Sequence, residues 1–82
     1  MSESDDKVLK ERIINLRESR NLSQTDLAKM VDMSNSTFNK IEAGTRKISS
    51  SELKKFAIAF NVSSDYLLGN TDNMEKKKYY EL

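Results

Sequence analysis

The chain has 82 residues, with fourteen Lys or Arg against thirteen Asp or Glu and a formal net charge of +1. It contains neither cysteine nor histidine, which removes a disulfide framework, the usual zinc ligands and the commonest general base. A chain this short buries one core, no apolar run approaches the roughly 20 residues that span a bilayer, and the opening MSESDDKVLK is too polar for a signal peptide, so a cytoplasmic domain is expected.

Proline is absent and glycine occurs only at Gly44 and Gly69, so the expected fold is all-α. Residues 1–5 are expected to be disordered. A first helix over 6–20 carries an apolar stripe of Leu9, Ile13 and Leu16. Asn21 tolerates the left-handed conformation that ends a helix, and Ser23, with Asp26 three residues on, starts the next. That second helix, 24–31, points Leu27, Ala28 and Val31 inward. After a turn around Asp32 and Met33, Ser34 caps a third helix, 35–43, anchored by Phe38 and Ile41 and stopped by Gly44. Ser49 and Glu52 form a capping-box pattern ahead of a fourth helix, 50–60, which brings Leu53, Phe56, Ala57 and Phe60 to the core. Asn61 stops it. Ser63 or Ser64 then caps a short fifth helix, 64–68, with Val62 and Leu67 closing the core before Gly69. The folded domain is thus expected over 6–69, and 70–82 reads as a linker or tail, or as the start of a further segment.

The third helix is the least ordinary element. MSNSTFNKIEAG lines up Ser, Asn and Thr, whose side chains compete with a helix backbone for hydrogen bonds. At 100° per residue, with Phe38 and Ile41 inward, Ser36, Asn39, Lys40 and Ala43 point outward and Asn35 sits at the leading edge. Two readings fit that face: a solvated surface, or a small hydrogen-bonding surface suited to the DNA major groove. Asn pairs bidentately with adenine, Lys donates to guanine, and Ser serves either. Glu42 falls on the core-facing edge of the same helix and Arg17 on the edge of the first. A carboxylate buried there needs a partner, so the two are expected to form an orienting salt bridge rather than a catalytic dyad.

LSQTDLA entering the second helix, STFNKIEAG across the third, and AFNVSSDYLLG at the close occur in order and at fixed spacing. Together they make the stretch from about Leu9 to Gly69 closely resemble the lambda-repressor and Cro-like (XRE-type) helix-turn-helix family. The resemblance implies a compact five-helix domain whose third helix is the recognition helix, with Asn35, Ser36, Asn39 and Lys40 facing bases. It further implies phosphate contacts from Gln24, Ser34, Thr37, Thr45, Arg46 and Lys47, and dimerisation near Tyr66 and Leu68. The family also tends to pair the positions of Arg17 and Glu42. Ile48 stands where proline is common in the family, and Asn21 and Asn61 where glycine is.

The expected function is sequence-specific binding of a double-stranded DNA operator by a homodimeric transcriptional repressor of phage or prophage type, with no metal, cofactor or membrane partner. A nucleoid-associated place in a bacterial or phage-infected cell follows. An enzyme is not expected: no Gly-rich phosphate loop is present, and Ser49 to Ser51 are better read as a helix start than as nucleophiles. The alternative is a protein-interaction module, such as an antitoxin or anti-repressor partner, built on the same fold.

Overall fold

The structure is a computed structural model that describes residues 3–75, with side chains from Asp6 onward. It contains α1 (Glu3–Ser19), α2 (Gln24–Met30), α3 (Asn35–Ala43), α4 (Ser50–Phe60) and α5 (Ser64–Leu67), and no strand among the described residues. The punctuation of the chain explains the boundaries. Ser23, Ser34, Ser49 and Ser63 each accept the backbone N–H three residues on, at 3.0, 3.1, 3.2 and 2.9 Å. Each thereby satisfies a donor that the first helical turn leaves unpaired. At α2 and α4 the bond is reciprocated, the side chains of Asp26 and Glu52 accepting from the backbone N–H of Ser23 and Ser49.

All five helices stop in the same way. Asn21, Asp32, Gly44, Asn61 and Gly69 have φ of 57°, 58°, 81°, 56° and 80°. The residue after each donates its N–H to the carbonyl five positions back: Leu22 to Arg17, Met33 to Ala28, Thr45 to Lys40, Val62 to Ala57 and Asn70 to Asp65. This is the Schellman closure, which needs one left-handed residue. Asp32 fills that role in the α2–α3 turn without being glycine, as short polar side chains can.

Phe38, Phe56 and Phe60 form the centre of the core, fully buried, with the Phe38 and Phe56 rings 6.0 Å apart and tilted by 37°. Leu9, Ile13 and Leu16 of α1, Leu27, Ala28 and Val31 of α2, Ile41 of α3 and Ala57 of α4 surround them, and Val62 and Leu67 close the end. Two positions differ from the sequence expectation. Ile48, in the loop between α3 and α4, turns its side chain into the core, whereas Leu53 is only partly buried at its edge.

The ends of the domain also differ. α1 begins at Glu3, so residues 3–5, expected to be disordered, have helical backbone. No glycine or proline interrupts that stretch, and its acidic composition suits the positive end of a helix. At the other end, residues 70–75 are tied to the domain. One Arg12 Nη donates to the carbonyls of Tyr66 and Thr71, both at 2.9 Å, and the other to Asp72 Oδ1 at 2.9 Å. The guanidinium lies 4.2 Å from the centre of the Tyr66 ring, and the Ser63 N–H donates to the Met74 carbonyl at 3.0 Å. The basic, aromatic part of the tail, from 76 to 82, lies outside the described residues.

Candidate nucleic-acid interface

Phe38 and Ile41 fix the rotation of α3 by burying completely. On the opposite side Asn35, Ser36, Asn39, Lys40 and Ala43 are exposed. The side chains of Ser36, Asn39 and Lys40 take no hydrogen bond within the described residues, whereas the Asn35 amide donates to Thr25 Oγ1 of α2 at 3.2 Å. Thr25 is not apparent from the sequence: its link to Asn35 crosses the turn between two helices, and no spacing rule encodes that. Ser34 is occupied at the head of α3, its Oγ accepting from the Thr37 N–H and donating to Thr37 Oγ1 at 3.0 Å.

A polar network sets the angle of α3 against its neighbours. Arg17 Nε donates to Glu42 Oε2 at 2.7 Å, and Arg17 Nη2 to Glu42 Oε1 at 3.2 Å. The two side chains retain only 14% and 8% of their exposure. Arg17 Nη1 donates to the Leu22 carbonyl at 2.9 Å, and Gln24 Nε2 to Glu42 Oε1 at 2.6 Å. One carboxylate on α3 is therefore gripped from α1 and from the head of α2. The hydrogen bond from Arg17 to Glu42 holds the guanidinium above its ordinary pKa, against an opposing effect of burial. Gln24 accordingly has a structural partner in addition to the phosphate contact that the resemblance implies.

The loop after α3 contains Thr45, Arg46 and Lys47, all exposed. Thr45 Oγ1 donates to the Lys40 carbonyl at 3.2 Å, which ties the loop to the last turn of α3. Arg46 forms a two-point pair with Glu52, at 3.0 and 2.9 Å. That pair pulls the Glu52 carboxyl down from 4.5 to about 2, further helped by the Ser49 backbone bond. Arg46 thus serves first as a clasp between loop and α4, its charge offset, and Lys47 is the less committed cation of the loop. Tyr66 and Leu68 are half-buried, and the Tyr66 ring already carries Arg12 on one face.

Two short helices joined by a tight turn, the second burying two apolar anchors and exposing amides and hydroxyls, define a helix-turn-helix DNA-binding fold. A profile of the helix-turn-helix family matches residues 13–67. The chain belongs to this family, in its XRE-type, lambda-repressor/Cro-like form, and is a DNA-binding regulator. No curated protein matches it. No helix of the described residues is long and apolar enough to cross a membrane, and no group of acidic, His or Cys side chains among them could hold a metal ion.

Proposed function

We propose that the protein is a transcriptional repressor that places α3 in the major groove of a short, partly palindromic operator and acts as a dimer. The observation that carries this reading is the opposition of the two faces of α3. Phe38 and Ile41 are locked inward while Ser36, Asn39 and Lys40 keep their hydrogen-bonding capacity unspent. A face of this kind lets the helix backbone come close to the base edges, and its amide, hydroxyl and ammonium groups match the donors and acceptors displayed there. Asn35, linked to Thr25, is a fourth reader with a fixed orientation.

Gln24, Ser34, Thr37, Thr45, Arg46 and Lys47 flank this face and are the proposed phosphate contacts, with Lys47 the main charge. Few cations serve one copy, which favours two copies on half-sites about 34 Å apart, with Tyr66 and Leu68 near their junction. Selection of bound duplexes from a random pool tests the proposal directly, and enrichment of a two-fold symmetric sequence is the expected result. On that sequence Asn39→Ala should cost about 1–3 kcal/mol at one base position. Lys47→Ala should instead weaken all sequences alike and flatten the salt dependence by about one unit of slope. An unenriched pool, with a protein partner captured through Tyr66, would favour the interaction-module reading.

A further inference from the structure

Where α3 ends, an open cavity of about 300 Å³ lies between it, α1 and the loop, with Leu9, Ile41 and Ile48 in its lining. Its charged residues are not those of the helix-turn-helix pair alone. Lys7 and Lys10 come from α1, Lys47 from the loop, and Asp6 from the first turns of α1. Arg46 also borders the cavity, but Glu52 holds its charge. The Lys10 ammonium lies against Gly44, 3.4 Å from the point a Cβ there would occupy, so the missing side chain leaves room for it at the end of the helix.

Asp6 is the anomaly. Both its carboxylate oxygens are buried and take no hydrogen bond among the described residues. Lys47 Nζ, at 3.8 Å, is near enough to attract but too far to hydrogen-bond. A buried carboxylate left in this state is unfavourable. Three cations against this one anion make the cavity a positive pocket that contains its own competitor.

We propose that this pocket takes a phosphate of the duplex backbone through Lys7, Lys10 and Lys47, extending the footprint onto α1, and that Asp6 restrains it by holding Lys47 and repelling the phosphate. The inference rests on the DNA-binding reading above. A backbone phosphate is the fitting anion because the pocket opens beside the end of α3. A groove-bound helix has a phosphate ridge passing there.

The test uses a random-sequence duplex of about 20 base pairs, on which binding is almost wholly electrostatic, with anisotropy titrations at several salt concentrations. Lys7→Gln with Lys10→Gln should weaken binding and flatten the log–log salt slope by about two, near 0.9 for each lost contact. Asp6→Asn should do the opposite, tightening binding about two- to fivefold at about 0.1 M salt and steepening the slope, a modest effect because the Lys47 ammonium it faces is largely exposed and screened by salt. Melting curves for each variant establish that it is folded, and Lys10→Arg alone, which keeps the charge, should leave the wild-type slope in place. Unchanged slopes in the folded lysine variant, or an Asp6→Asn protein that binds no tighter, would overturn the inference while leaving operator selection by Asn39 intact. A pool without enrichment, with these charge effects present, would sink the operator reading instead.

Discussion

Glu42 shows how one side chain can matter more than its element. It takes three hydrogen bonds from two side chains, Arg17 and Gln24. Removing Arg17 leaves a largely buried carboxylate with one neutral donor. Arg17→Ala should therefore cost about 2–3 kcal/mol, somewhat below the range for fully buried pairs. In urea titrations the Arg17→Met, Glu42→Leu double variant should lose less than the sum of the two single losses, because the second change relieves the charge stranded by the first. Strict additivity would show that the pair does not couple α1 to α3. Glu52 ties the fold to pH. Its pKa is depressed in the folded state, so its pairing stabilises the fold above pH 4.5 and is lost as pH falls towards about 2. Arg46→Met should reduce the acid sensitivity of the melting temperature in that window, and an unaltered profile would exclude the clasp.

At the scale of the helices, capping decides where each begins and ends. The left-handed positions separate residue types cleanly: Asn61→Gly should be close to neutral, whereas Asn61→Ala should cost about 1 kcal/mol, because alanine keeps the Cβ strain of the left-handed backbone and loses the amide whose local hydrogen bonding offsets it. Gly69 is more constrained still. A Cβ there would lie 2.7 Å from Val8 Cγ1, so the left-handed backbone and a collision act together. Gly69→Ala should accordingly lower the melting temperature more than Asn61→Ala does. Equal shifts would mean that α1 yields to the intruding methyl. Both cap types were readable from Ser, Asn and Gly at the joints. Asp32 was not, because aspartate signals a turn without specifying which of its residues takes positive φ.

For the molecule as a whole, Arg12 determines where the domain ends. Its guanidinium joins α1 to the carbonyl of Tyr66 and to Thr71 and Asp72, so residues 70–75 follow α1 and α5 rather than leaving directly. Arg12→Ala should lower stability by about 1–2 kcal/mol, as expected for losing several charge-assisted hydrogen bonds in a partly exposed setting. Amide exchange at Ser63, whose N–H bonds to Met74, should rise along with it. Protection retained at Ser63 in a folded Arg12→Ala protein would show that the segment stays in place without this residue.

Five helices, the serine starts of α2 to α5, most of the stops and nearly the whole core follow from local chemistry, because caps and apolar periodicity act within a few residues of one another. The outward face of α3 was legible for the same reason: once Phe38 and Ile41 turn inward, helical geometry places the remaining side chains. Which polar groups are already engaged depends instead on packing in three dimensions. Gln24 bonds to Glu42, Arg46 to Glu52, Asn35 to Thr25 and Arg12 to the chain beyond α5. The same loop that buries Ile48 brings Lys47 within 3.8 Å of Asp6. Those pairings join residues far apart along the chain or across a turn, and a hydrogen bond depends on distance and direction in space, which no sequence interval encodes.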